Sequence, residues 1–336
     1  MRWSGIYIDA VSAVLGEPVD SAVAVAEGRF SAEEAAGTRQ RAARVSDRPA
    51  PDLAAEAGRR ALERAARDPR EIGLLLHAGC YEQGVTFWNT ASYVQREVLG
   101  HGDAMAFEVR QMSNGGMAGL ELAAVHLSAV PTLTAALVTT ADRFAEPRFP
   151  RWSADRGLVF GDGGTAMVVS RRPGRLRLVS TATYSEPSLE GLHRGDDLHA
   201  PPDAGAPLDL MARKRVFLRD VPVAETIARN EAGMLTAVKR CVEDADDDVA
   251  GMAAVVVPFF GADLAHKQCI DPLGVPEEST LLDYGLGVGH LGPGDQCAGL
   301  VRLLDSGRVT AGDRVLLVGV GAGFTWTCAV VEVTHG

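Results

Sequence analysis

The chain lacks any excess of basic charge. Its 33 Lys and Arg against 44 Asp and Glu leave a formal net charge of −11. That speaks against a nucleic-acid or anionic-membrane surface, both of which need a positive face. No apolar stretch approaches the ~20 residues that a membrane-crossing helix requires. The N-terminus shows no signal-peptide pattern, so a cytoplasmic protein is expected. Cysteine is sparse and unpatterned. Cys80, Cys241, Cys269, Cys297 and Cys328 are odd in number and form no CxxC, which excludes a zinc-ribbon or disulfide framework and reads as small core residues. No GxGxxG follows the first strand, so nothing supports nicotinamide or flavin binding. The turn Gly161-Asp162-Gly163-Gly164 is followed by a strand rather than by GK[ST], so it is not a phosphate loop.

What is present is a large apolar core: 46% of the 336 residues are hydrophobic, enough for one large or two smaller domains. Helical spacing of Leu53, Ala57, Ala61 and Leu62 predicts a helix over 52–67, and a second long amphipathic helix is expected over 223–244. Shorter helices are expected over 91–99, 263–270 and 297–304. Short apolar runs predict buried strands at 72–78, 104–109, 133–139, 175–183, 253–257 and 314–319. A strand starting at Ile6 is expected to give way to a polar loop before 14. Residues 31–46 read as an exposed helical or loop segment, and 193–208 as a surface loop. Glycine turns feed closing strands twice, at 161–169 and 321–333. This alternation predicts an α/β fold built from two similar halves, 1–170 and 171–336.

The segment 107–122 is the most informative. It reads as a short strand, a tight turn at Ser113, and a helix rich in Gly115, Gly116, Ala118 and Gly119, which can be buried only against close neighbours. A serine there lies beside unpaired helix N-terminal amides. That is a place for a nucleophile and an oxyanion, although an ordinary helix N-cap uses serine in the same way.

Val256-Val257-Pro258, Gly289-His290, Asp305-Ser306-Gly307-Arg308-Val309, Gly312-Asp313-Arg314-Val315 and Gly321-Ala322-Gly323-Phe324-Thr325-Trp326, with Phe160-Gly161-Asp162-Gly163 earlier, resemble the β-ketoacyl-ACP synthase III family. The resemblance implies a thiolase fold of two βαβαβαββ halves in five αβαβα layers, usually as a homodimer. It places the family's nucleophilic cysteine on Ser113, its histidine on Phe259, the asparagine of its His-x-x-Asn phrase on Ala262, and its catalytic asparagine on His290. Asp295, five residues beyond His290, is in range to orient the imidazole, so Ser113, His290 and Asp295 fill the roles of nucleophile, base and orienter. This set resembles the Ser/Cys-His-Asp acyltransferase branch of secondary metabolism. His193 is a second candidate, as an auxiliary group or a loop residue. The backbone amides of Ser113 and Ala322 are the expected oxyanion donors.

The resemblance implies an acyl-ACP or acyl-CoA donor, with the phosphopantetheine thioester as substrate and no tightly bound cofactor or metal. An acyl carrier protein and a small-molecule acceptor are the expected partners. The expected activity is transfer of an acyl group to a hydroxyl of a polyketide or glycoside natural product. Decarboxylative condensation with malonyl-ACP and a non-catalytic partner subunit are the alternatives. Arg39, Arg41, Arg148, Arg151 and Arg213 to Arg215 are candidates to meet the donor. Phe87, Trp88 and Met117 are candidate pocket-lining residues.

Overall fold

The computed structural model describes residues 1–196 and 207–334. The apolar runs form nine strands of one mixed sheet: β1 Tyr7–Leu15, β2 Ile72–Ala78, β3 Met105–Glu108, β4 Ala135–Asp142, β5 Gly163–Ser170, β6 Leu176–Ser185, β7 Ala254–Val256, β8 Arg314–Gly321 and β9 Thr325–Val333. Their order across the sheet is β3-β2-β4-β5-β1-β6-β9-β8-β7. β1 joins the two parts. It pairs along its length with β5, but with β6 only through Tyr7–Arg177 and Ile8–Leu176.

Five helices matter for the site: α1 Ala50–Ala65, α2 Thr90–Val98, α3 Gly115–Ala129, α4 Val223–Asp244 and α5 Asp295–Asp305. Three apolar clusters show the layering. Leu53, Ala57, Ala61 and Leu62 of α1 and Val94 of α2 pack with Leu75 and Leu137 on one outer face. Met234, Ala237, Val238 and Cys241 of α4 pack with Val255, Leu316 and Val330 on the other. Between the two sets of strands, Leu120, Ala124 and Leu127 of α3 share one core with Cys297, Leu300 and Leu303 of α5. Helices therefore cover both outer faces and fill the middle, the expected five layers of a thiolase fold.

α3 can lie in the middle layer because it is small where it meets its neighbour. A methyl group on Gly116 would sit 2.3 Å from the Pro293 carbonyl oxygen, so only glycine allows this approach. The N-termini of α3 and α5 consequently meet.

The first series of elements runs βαβαβαββ. In the second series the third strand is reduced to a single parallel bridge between Thr280 and Val255. Other departures from expectation have local causes. β1 does not turn into a loop, because its buried polar residues find partners: Arg67 Nε donates to Asp9 Oδ2 at 2.8 Å, and Ser12 Oγ donates to the Ala57 carbonyl at 2.5 Å. Residues 31–46 contain a helix, Ala32–Thr38, and a strand, Ala42–Val45, that pairs with Glu17–Asp20. The 263–270 segment is a short helix, Ala262–Ala265, continued by a π-turn over His266–Ile270. Of the expected 193–208 loop, His193 lies in a one-turn helix, Gly191–Arg194, and residues 197–206 lie outside the described residues. A helix over Leu210–Phe217 follows. No helix among the described residues is long and apolar enough to cross a membrane.

Candidate active site

Ser113 stands where β3 turns into α3. The turn is sharp: Met112, just before it, is a non-glycine residue with φ of +49°, a conformation that costs about 1–3 kcal/mol and persists only where its surroundings impose it. Asn114 supplies much of that imposition. Its amide donates to Gln111 Oε1 at 2.5 Å and to Thr327 Oγ1 at 2.8 Å, and its Oδ1 accepts from the Thr327 amide at 3.2 Å. These bonds tie the turn to β9, and Gly321 abuts the Gln111 carbonyl oxygen. The Gly321-Ala322 turn thereby lies beside the Ser113 turn, and Ala322 lines the same cavity as Ser113.

The three residues singled out in the sequence come together. Ser113 Oγ is 2.7 Å from His290 Nε2, and His290 Nδ1 is 2.6 Å from Asp295 Oδ2. An ionised carboxylate only accepts, so the proton between them belongs to Nδ1, and Nε2 is left to accept from the serine hydroxyl. Asp295 is itself held fast: the amides of Phe259 and Leu291 donate to its two oxygens, each at 2.8 Å. His290 and Asp295 are both buried. Burial opposes the imidazolium, but Asp295, helped by Asp142 and Asp155, outweighs it and raises the pKa of His290. Phe160 and Phe260 lie 5.6 and 6.1 Å from the imidazole, centroid to centroid, and shield it from water.

These residues open into a cavity of about 910 Å³. His193 lines the same cavity. Its Nε2 stands 3.7 Å from Asp155 Oδ2, while Lys214 Nζ donates to both Asp155 oxygens at 2.5 and 2.7 Å. Burial pushes the Asp155 carboxyl up, but His193 and Lys214 together bring its pKa below the usual range. His193 Nδ1 is buried without a hydrogen-bond partner.

Several expectations need correction. Phe259 takes no part in the cavity wall; its ring packs edge-on against Tyr284, and its contribution is the backbone bond to Asp295. Phe260 lines the cavity instead, whereas Ala262 is buried away from it. Met117 is fully in the central core and Phe87 is fully exposed, so neither lines the cavity; Trp88 does. Arg151 is buried in a two-pronged pair with Asp162, at 2.9 and 3.0 Å, so it cannot meet a donor. Arg39 and Arg41 pair with Glu277 and Asp283 on the surface. Arg148, Arg213 and Lys214 line the cavity, and Arg215 sits 3.5 Å from Asp209. Cys80 is not a core cysteine like the other four: it is half-buried in the cavity wall, its Sγ 3.6 Å from Ser113 Oγ. Asp142 and Asp155 were not singled out. Each follows an apolar run or a loop, where an aspartate reads as a turn residue. Among the described residues, no group of three or more His, Cys, Asp or Glu is arranged to hold a metal.

A middle layer that joins the N-termini of two central helices defines the thiolase fold. The 3-oxoacyl-[acyl-carrier-protein] synthase III of Aquifex aeolicus superposes with a TM-score of 0.77 at 21% identity, over 97% of this chain and 99% of that one. The C-terminal model of 3-oxoacyl-[acyl-carrier-protein] synthase III matches residues 250–333. The β-ketoacyl-[acyl-carrier-protein] synthase III of Nitratidesulfovibrio vulgaris is 31% identical over 300 residues, covering 88% of this chain and 87% of that protein. The chain belongs to the β-ketoacyl-ACP synthase III family, a family of transferases and condensing enzymes. It is also similar to the solved structure of ChlB3, described as an acyltransferase, at 34% identity and a TM-score of 0.93, with 98% of each chain covered.

Proposed function

We propose that the protein is an acyltransferase that carries its acyl group on Ser113 and delivers it to a hydroxyl of a natural-product acceptor, a polyketide or glycoside. The observation that carries this reading is the unbroken series Ser113 Oγ–His290 Nε2–Asp295, at 2.7 and 2.6 Å. A serine hydroxyl needs such a base near neutral pH. In the first step Ser113 Oγ attacks the thioester carbonyl, its proton passes to His290 Nε2, and the C–S bond breaks as that proton goes to the departing thiol. In the second, the acceptor hydroxyl gives its proton to His290, its oxygen attacks the acyl ester, and Ser113 leaves with the proton. The amides of Ser113 and Ala322 are assigned to the oxyanion in both steps. Asp295 keeps His290 in the required tautomer and offsets its charge.

Transfer to oxygen is favoured over condensation by what stands at the positions where the family resemblance puts its His and Asn. Phe259 and Ala262 lie outside the cavity, and Phe260, which lines it, offers no side-chain hydrogen bond to the enolate that decarboxylation creates. ChlB3, similar over nearly the whole chain, is named for acyl transfer. We assign His193, which lines the cavity, to the acceptor side. The donor is an acyl-ACP or acyl-CoA thioester, with the carrier protein preferred and Arg148 and Arg213 at the cavity for its phosphate. No tightly bound cofactor is required by this chemistry.

We further assign 1–170 to supplying the nucleophile and 171–336 to supplying His290 and Asp295. A homodimer, in the cytoplasm with its carrier, fits the outer edge of β3, which carries the exposed Met105 and Phe107 beside the exposed Val85 and Phe87. Exposed edges of this kind are normally covered. The test is to load Ser113, then offer candidate alcohols or malonyl-ACP. Ester product supports the reading, while a β-keto product or carbon dioxide release replaces it with a priming condensing enzyme.

A further inference from the structure

Asp142 ends β4 beneath the nucleophile and is completely buried. Its oxygens accept from the amide of Cys80 at 3.0 and 2.9 Å and from the amide of Tyr81 at 2.8 Å, with Gln83 Nε2 at 3.3 Å. It also touches the other side of the site. A methyl group on Gly292, which lies between His290 and Asp295, would fall 2.3 Å from Asp142 Oδ2 and 3.1 Å from Cys80 Sγ. With Cys80 Sγ 3.6 Å from Ser113 Oγ, this carboxyl occupies the floor between the Ser113 turn and the His290–Asp295 loop.

No ion pair neutralises it among the described residues. Arg143, its neighbour in sequence, turns away to the Ser46 carbonyl. Arg151 is spent on Asp162, and Lys214 on Asp155. His77, which contacts Gln83 at 3.3 Å, is kept neutral by burial, its pKa pushed down to about 4. The one cation left to answer Asp142 is His290 in its protonated form. The groups that bear on His290 are then Asp295 from α5, Asp142 from β4 and Asp155.

We propose that Asp142 is a second carboxyl of this site, a positioning residue that holds the Cys80–Tyr81 wall in place and whose ionisation strengthens His290 as a base. The inference rests on the acyl-transfer reading for its meaning, but not for its test. Burial pushes the Asp142 carboxyl up to about 7, against the pull of the Tyr81 and Cys80 amides. The imidazole of His290 is likewise raised above its ordinary 6.5, and two neighbouring groups whose charges act on each other titrate as a coupled pair. Protonating Asp142 removes a negative charge from His290 and weakens its hold on a proton. The bond from His290 Nδ1 to Asp295 keeps the tautomer.

The experiment is a pH titration of His290 by histidine-selective NMR in the whole protein, alongside the pH dependence of Ser113 acylation. Wild type should give a broadened, two-step His290 curve. Asp142→Asn should give a single-proton curve displaced to lower pH, with the acid limb of acylation displaced the same way. Cys80→Ala keeps the charge and should keep both steps. A one-step curve in wild type overturns the proposal whether or not the variants fold, and so does an unmoved curve in Asp142→Asn. Loss of the second step in Cys80→Ala would assign the coupling to the thiol instead. If no thioester acylates Ser113, the transfer reading fails, and the NMR titration still decides this one.

Discussion

Two histidines line the cavity, each facing a buried aspartate, yet the two pairs are built differently. His290 has both ring nitrogens engaged, at 2.7 and 2.6 Å, and is 4% exposed. His193 stands 3.7 Å from its carboxylate, its side chain is 23% exposed, and its Nδ1 has no partner. The carboxylates differ as well. Asp295 is satisfied by two backbone amides and the imidazole, whereas Asp155 is already neutralised by Lys214. A carboxylate with no cation of its own can stabilise an imidazolium that forms during reaction. One that already holds a lysine has little left to give. The His290 pair is preassembled for proton transfer, and the His193 pair is not.

The comparison breaks most visibly at the nucleophile. Ser113→Ala should abolish the acyl adduct on intact mass, while His193→Ala should still acylate. Next in size, Asp295→Asn should reduce acylation by about 10³–10⁴-fold, because the amide permits the wrong imidazole tautomer and leaves the cation unbalanced. Single-turnover acylation would measure it, and a loss below tenfold would contradict the role given to Asp295. Smaller again, His193→Ala should slow transfer to the acceptor by up to about 10²-fold and leave acylation nearly unchanged. Equal losses in both steps would mean that the two histidines do not divide the work.

The smallest effect is a displacement in pH. His290 acts in its neutral form, and its pKa lies above the ordinary 6.5. Acylation should therefore fall as pH drops through a midpoint above 6.5. In Asp295→Asn, burial acts with less opposition and the midpoint should move to lower pH. A midpoint that stays in place would show that another group controls the limb.

The sequence made the His290 pair legible and only half of the other, His193 without Asp155. Ser113 announces itself through the glycine-rich helix behind it, His290 through the family resemblance that sets it at the catalytic asparagine, and Asp295 by lying within reach of it across Gly292-Pro293-Gly294. The β2 run at 72–78 and the helix at 223–244 are equally plain, because their burial follows a simple period. Buried polar groups are not. Asp9 and Ser12 look like the end of a strand until Arg67 and the Ala57 carbonyl satisfy them from distant parts of the chain. Asp142, Asp155 and Cys80 gain their meaning in the same way, from partners 59 to 62 positions away. Phe259 and Phe260 show the limit of positional transfer: neighbouring residues face opposite directions, and only the second reaches the cavity.

The most direct test of the account is intact mass after incubation with a panel of acyl-ACP and acyl-CoA thioesters, wild type beside Ser113→Ala. The account predicts a mass gain equal to one acyl group in wild type, mapped to Ser113 and absent from the variant. A gain that persists in Ser113→Ala would move the nucleophile elsewhere, with Cys80 the first residue to examine. No gain from any donor would contradict an acyl-serine enzyme and favour a non-catalytic partner subunit.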